Sequence, residues 1–435
     1  MLLGGKAANA VLGLAALGVA ARGLGLGLFG VLILVHAFAE AVGEIAKFQS
    51  WQSVIHYGSK PWAEGRLPDF QRILRFTAVL DIASSIAGVV IGAAGAAVVG
   101  PWLKWPPGTA PAAMLYTTSV AFMVSATPLG VLRLFGRFDL IAGQATVASL
   151  VWLVGGVGAW ALHAGLAAYL AIWWTGTFVA FVFLAVAAWR ELRRRDALRD
   201  LDWRRGGLTQ GFPGLWRFAF TTNANASLEL AFTHVSTLIV GGLLNPSQAA
   251  LWRVARLVGD AIAAPARMLV PALYPELARL RAAGDDRALA QLGLQVGAVV
   301  GVVATVMLAL AIVAGGPLLS LAMGRAFAAA GPVMTWQVAA AVIGIWALPL
   351  EPILISTGRA GTALRTRVLV SAAYLIALQP LVSRLGVVGA GVASVGAAIL
   401  MGGGMLLGVI RWRRDPLNGL RTSPTPPPPS SPEIT

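Results

Sequence analysis

The sequence has no cysteine in its 435 residues. That absence excludes disulfides, thiol nucleophiles, thiolate metal sites and cysteine-held iron–sulfur clusters together. Charge is also scarce. Only 12% of residues are charged and 57% are hydrophobic, whereas a soluble domain carries roughly a quarter charged residues. The four histidines (His36, His56, His163, His234) are scattered without metal-ligand spacing. Neither a phosphate-binding loop nor an HExxH string occurs, so no catalytic residue, metal or cofactor is predicted. Gly25-Leu-Gly27-Leu-Phe-Gly30 matches GxGxxG, but that motif needs a preceding strand in a soluble βαβ unit. Here it reads as a tight external turn between two membrane helices.

What the chain does have is apolar length. Twelve candidate spans fall at about 2–21, 28–46, 74–99, 112–135, 140–162, 165–189, 214–244, 248–276, 289–314, 332–356, 363–384 and 386–411. Barrel strands alternate over about ten residues, whereas these runs are longer, unbroken and rich in Ala and Leu. The expected fold is therefore an all-α polytopic membrane protein. Met1–Ala21 has a weak signal-peptide character, but another span follows at once, and the segment is expected to be retained as the first helix.

Orientation follows from the basic residues. With the even-to-odd loops and both termini on one side, that side holds 26 of the 33 lysines and arginines and the other side 4. Both termini are accordingly expected in the cytoplasm, in a multi-pass protein of the bacterial inner membrane. The basic residues lie where this rule wants them, so no nucleic-acid partner is expected.

The most basic linker, Trp189–Gly207, separates two sets of six spans. The expected organisation is an N-terminal six-helix bundle (1–189), a basic cytoplasmic linker (190–213), a C-terminal six-helix bundle (214–411) and a disordered tail (412–435). The tail is Pro- and Ser-rich with no apolar face. The halves are weakly alike. Gly27–Leu67 can be laid over Gln248–Asp285, each being a helix with charged residues that becomes amphipathic and ends in a short polar turn. Repeated halves are common in secondary transporters, with substrate held between them.

Ionisable residues inside spans are functional candidates, because a charge in the bilayer is costly unless paired or wet. Helix 2 carries His36, Glu40 and Glu44 on one stripe, and Glu44 can also pair with Lys47. Helix 8 carries Arg253, Arg256, Asp260 and Arg267 on a common face. Helix 7 is polar for a span, with Thr222, Asn225, Glu229 and His234 among its residues, and helix 3 adds Asp81. The functional reading is a wet cavity lined by helices 2, 7 and 8; the alternative is a set of static buried ion pairs. Prolines 265, 271 and 275 give helix 8 the look of a gate, and passive kinking explains them equally well. Trp102, Trp105, Trp173, Trp174 and Trp412, near span ends, read as interfacial anchors.

Four strings carry a resemblance: Ala21-Arg-Gly-Leu-Gly-Leu-Gly-Leu-Phe-Gly30 after helix 1, Ala126–Ala142 at the helix 4–5 junction, Ala250–Leu257 in helix 8, and Leu269–Asp285 leaving it. In order along residues 1–412, the chain resembles the polysaccharide exporters and O-antigen (Wzx-type) flippases of the multidrug/oligosaccharidyl-lipid/polysaccharide (MOP) superfamily. Leu26 and Leu28 stand where that family usually has an acidic pair in the turn. The resemblance implies two pseudo-symmetric six-helix bundles around a central cavity, as in MATE-like transporters. It further implies movement of a polyprenyl-pyrophosphate-linked oligosaccharide across the inner membrane by alternating access, for polysaccharide and lipopolysaccharide biosynthesis. On that reading the protein is a transporter and not an enzyme. Arg253, Arg256 and Arg267 would bind the pyrophosphate, and Thr222, Asn225 and Glu229 the sugar. His36, Glu40, Asp260 and Asp81 would be the candidates for ion coupling. Partners would be the lipid-linked oligosaccharide, membrane lipids, a polysaccharide polymerase and glycosyltransferases. A multidrug or small-molecule antiporter of the same superfamily is the alternative. A polymerase or ligase fits less well, since the longest external loop, near Gly100–Pro111, offers mostly Pro, Trp and Gly.

Overall fold

The computed structural model describes residues 2–200, 207–230 and 234–414, with the side chains of residues 2–8, 10, 223–230, 271 and 272 outside the description. Among the described residues all regular structure is helical. The first helices in chain order are α1 (Leu2–Ala46), α2 (Ser50–Ala63), α3 (Leu67–Trp102), α4 (Thr109–Thr117), α5 (Val120–Met123) and α6 (Ala126–Leu134). They are followed by α7 (Phe138–Ala161), α8 (Leu166–Arg194), α9 (Leu215–Leu230), α10 (Ser236–Leu243), α11 (Pro246–Arg267) and α12 (Val270–Ala282). The last are α13 (Asp286–Met323), α14 (Gly331–Trp346), α15 (Leu350–Ser356), α16 (Ala360–Leu385) and α17 (Val387–Arg414).

Nine stretches among the described residues are long and apolar enough to cross a membrane. They cover ten of the expected spans, because Val11–Ala63 contains two, separated where α1 breaks at Gly25 with φ 69° and ψ 170°. Only glycine takes that conformation without strain, so the GxGxxG-like string is a joint between helices. Expected span 7 is described as α9 and α10. Expected span 8 does not qualify as one apolar helix: α11 carries Arg253, Arg256, Asp260 and Arg267, and the chain turns at Met268 and Leu269 before α12. Pro271 sits in the first turn of α12, where its missing N–H costs nothing.

The chain divides into two compact units. The first is Met1–Val254 with Ala314–Pro332 and Leu378–Ala390; the second is Ala255–Val313 with Val333–Ala377 and Gly391–Thr435. In the first unit α1 packs along α7 and α3, and α7 along α8. Lipid tails are as apolar as leucine, so close van der Waals contact drives such packing. Gly176 lies directly beneath the Trp152 indole, and Gly30 against the Pro246 backbone, with no room for a β-carbon at either place. At one end of this unit, α2 packs on α3 and α6 around Val54, Phe70, Leu74, Val131, Leu132 and Leu184.

The second unit has a comparable cluster. Leu273 and Leu277 of α12 pack with Leu289, Ile353, Leu354, Met405 and Trp412. The α14–α15 joint carries Ala347-Leu-Pro-Leu350, as Ala126-Thr-Pro-Leu129 opens α6. The helices α6 and α15 then end alike, at Gly136-Arg137 and Gly358-Arg359, both glycines having positive φ (70° and 78°). Long valine and leucine faces stay uncovered, as with Leu294, Val299, Val303, Leu310 and Val313 on α13. Exposure on that scale suits a lipid solvent.

Candidate functional site

A spacing of four residues, close to one helical turn, brings His36 and Glu40 to one face of α1, and the structure joins them: His36 Nε2 lies 3.3 Å from Glu40 Oε1. The other Glu40 oxygen is 3.0 Å from His234 Nδ1, just before α10. One carboxylate is thus held between two imidazoles that come from opposite ends of the first unit's main segment. The remaining nitrogen of His36 is 2.7 Å from the Tyr116 hydroxyl of α4. Around the ring, Trp173 of α8 stands edge-on at 4.8 Å between centroids and is itself stacked 5.1 Å from Trp152 of α7. The Trp152 indole N–H donates to the Trp173 carbonyl at 3.2 Å, which fixes the stack.

The cluster opens into a cavity of about 320 Å³ within this unit, lined also by Glu44, Met123, Gln144 and Thr177. Chemically, the arrangement can hold and pass a proton. A neutral His36 donates from Nε2 to Glu40 and accepts the Tyr116 O–H at Nδ1; a protonated His36 donates at both ends and Tyr116 accepts. Among the described residues no group of three or more His, Asp or Glu has metal-ligand geometry.

Apart from Glu44 on the cavity wall, the other sequence candidates sit elsewhere. Asp81 is buried in α3, where its carboxylate accepts the Ser50 hydroxyl and, at 2.7 Å, the Thr127 N–H. It ties α2 and the start of α6 to α3 and does not line the Glu40 cavity. Glu44 pairs with Lys47, as expected. Thr222, half-buried on α9, donates to the Phe218 carbonyl at 2.9 Å. The side chains of Asn225 and Glu229 lie outside the described residues. On α11, Asp260 accepts Arg256 at 3.5 Å and Arg267 at 3.4 Å, and the Arg267 side chain is 66% exposed. Arg253 is half-buried and makes no ion pair among the described residues.

Two tryptophans expected at the membrane interface are interior. Trp173 is part of the His36 cluster, and Trp412 is packed into the second unit's core with Arg281 over its ring. In both cases neighbouring helices cover the indole, so proximity to a span end does not place it among headgroups. Tyr116, Trp152 and Trp173 were not legible as site residues, since each reaches His36 from a different helix.

A curated relative decides the family: the inner membrane protein YghQ of Escherichia coli (strain K12) is 32% identical over 318 residues, which are 73% of this chain and 88% of that protein. The chain belongs to the YghQ family. No protein-family profile matches it. Among solved structures, a lipid II flippase, MurJ, in an inward closed conformation superposes with TM-score 0.72, 12% identity and coverage of 97% of this chain and 90% of that one. An inward-facing multidrug-resistance transporter of the MATE family and MOP superfamily gives TM-score 0.68, 12% identity and coverage of 98% and 96%. These likenesses establish for this YghQ relative the all-α polytopic fold of MOP transporters, as expected from the sequence.

Proposed function

We propose that this chain is a flippase for lipid-linked oligosaccharides, moving polyprenyl-pyrophosphate sugar across the bacterial inner membrane by alternating access, in service of polysaccharide and lipopolysaccharide biosynthesis. The observation that carries this reading is the cationic stripe of α11. Arg253, half-buried and without an ion pair among the described residues, lies one turn before Arg256. With Arg267 and the shared Asp260, the helix holds three guanidiniums against one carboxylate. An arginine at mid-bilayer costs about 3 kcal/mol on insertion scales, and a pyrophosphate supplies bidentate acceptors that offset it.

In this proposal Arg253, Arg256 and Arg267 grip the pyrophosphate, while Thr222, Asn225 and Glu229 of α9 meet the sugar. His36 and Glu40, with Asp260 and Asp81 as further candidates, exchange the coupling ion. The organisation into bundles 1–189 and 214–411, joined by linker 190–213, and the cytoplasmic placement of both termini belong to the same proposal. Likeness in fold to a protein described as a lipid II flippase supports a lipid-linked cargo. Polysaccharide polymerase and glycosyltransferases would then work on either side of the step.

One observation favours a second reading, a small-molecule antiporter: the carboxylate between two histidines opens on a cavity of about 320 Å³, the right kind of place for exchanging a proton against a small cation. The two separate in one experiment. Arg253→Ala and Arg253→Lys are expressed in a strain lacking the native gene. Inserted protein, cytoplasmic lipid-linked oligosaccharide and surface polysaccharide are measured together. The flippase reading expects normal insertion, build-up of the lipid-linked precursor and loss of surface polymer for Ala, with partial rescue by Lys. Normal polysaccharide in Arg253→Ala overturns it. Changed drug tolerance with intact polysaccharide in Glu40→Gln would establish the antiporter.

A further inference from the structure

Away from the Glu40 cavity, the seam between α7 and α8 opens at its basic end into a groove of about 400 Å³. Its walls are apolar: Leu140 and Val147 from α7, and Val179, Phe183 and Val186 from α8. Its rim is cationic, with Arg137, Arg190 and Arg194 all lining the opening. The buried Glu191 carboxylate anchors two of these charges and a neighbouring arginine. It pairs with Arg137, with Arg194 at 3.6 Å and with Arg195 at 3.1 Å. Arg137 also pairs with Asp139 at 2.8 Å. Arg190 is exposed and makes no ion pair among the described residues. Arg193 is turned away over the Trp189 ring, and Arg195 lies over Phe135. The rim therefore keeps a net positive charge after its two carboxylates are counted.

The dimensions match one leaflet. From Arg190 back to Val179, eleven residues of helix span about 16 Å, and half a hydrocarbon core is about 15 Å. Val182 and Val186 are exposed along this face, 38% and 41%, where an acyl chain would lie. The other half of the same seam provides a contrast. There the groove of about 530 Å³ is lined by Leu150, Val154, Ile172 and similar residues and has no charged group. We propose that the basic groove between α7 and α8 is a binding site for one phospholipid with a net anionic headgroup, its phosphate against Arg190 and Arg194 and one acyl chain between the two helices. Glu191 anchors Arg194 while Arg190 stays uncompensated, and because the rim is net positive a zwitterionic headgroup gains much less there. This inference does not depend on what the protein transports.

The test uses the full chain purified in mild detergent, incubated with phosphatidylglycerol or phosphatidylcholine, with retained lipid counted by native mass spectrometry. One phosphatidylglycerol is expected to be kept in preference to phosphatidylcholine. Two arginines near a headgroup each change affinity about fivefold, so Arg190→Gln with Arg194→Gln should lower that preference about twenty-five-fold. Val182→Trp fills the groove with every charge intact and should also expel the lipid. Val154→Trp, in the uncharged half of the seam, should leave retention unchanged. Equal retention of both lipids by the unaltered protein overturns the proposal. So does undiminished preference in the double arginine variant, or displacement of phosphatidylglycerol by a polyprenyl phosphate at matched concentration.

Discussion

The clamp on Glu40 makes a quantitative prediction. Replacing Glu40 by Gln keeps its size and its capacity to bond both rings but removes the charge. Each bond from an imidazole to a carboxylate is worth about 1.5–3 kcal/mol, and each neutral counterpart about 0.5–1.5 kcal/mol, so the change costs about 1 kcal/mol per bond. Two such bonds, at 3.3 and 3.0 Å, give about 2 kcal/mol, reduced to about 1–2 kcal/mol because the Glu40 side chain is 29% exposed. The informative measurement is a double-mutant cycle of Glu40→Gln and His234→Gln, with stability read by graded denaturant titration in detergent micelles. Residues in direct contact couple by about 0.5–3 kcal/mol, and about 1 kcal/mol is expected here. Additive losses would refute the clamp as an energetic unit. Transport supplies a separate readout: Glu40→Gln should abolish gradient-driven exchange while the protein, less stable by only that amount, still inserts, and full exchange in that variant would remove Glu40 from coupling.

Three further outcomes are expected. Asp81→Ala strands the Thr127 N–H and the Ser50 hydroxyl in a buried site; it should cost about 2–3 kcal/mol in the same titration, with Asp81→Asn intermediate. Gly30→Leu drives a side chain into the Pro246 backbone, so membrane-inserted protein should fall sharply in quantitative blots, whereas Gly158→Leu, which faces open space, should not change it. Glu351→Ala releases Arg367 from a two-point contact at 2.7 and 2.9 Å; both side chains are about one-third exposed, so the loss should be about 1 kcal/mol or less.

Much of the fold could be read from local pattern, because hydropathy over twenty residues and the conformational freedom of Gly25 are properties of short windows. The His36–Glu40 contact was legible for the same reason: four residues make one turn of α1. Convergence was not legible. His234, Tyr116, Trp152 and Trp173 reach one imidazole from distant segments, and no periodicity within a helix encodes that meeting. The interior tryptophans show the limit from the other direction, since an indole near a span end looks identical in sequence whether lipid or another helix covers it. Asp81 was recognisable as an intramembrane carboxylate, but its role as a tie to the first turn of α6 depends on the chain returning, 46 residues later, beside α3. The repeated Gly-Arg endings of α6 and α15 were available in the sequence, in Leu134-Phe-Gly136-Arg137 and Ser356-Thr-Gly358-Arg359. They stood out only once both helices were seen to stop there.

The two-imidazole clamp also sets a schedule for biogenesis. Glu40 leaves the ribosome long before His234, and at about 5–20 residues per second the second histidine arrives about 10–40 s after the first. During that interval the nascent helical hairpin enters the bilayer with an acid satisfied on one side only. A translocon or chaperone that shields such a half-finished hairpin would matter more for this chain than for one whose polar contacts close between consecutive helices.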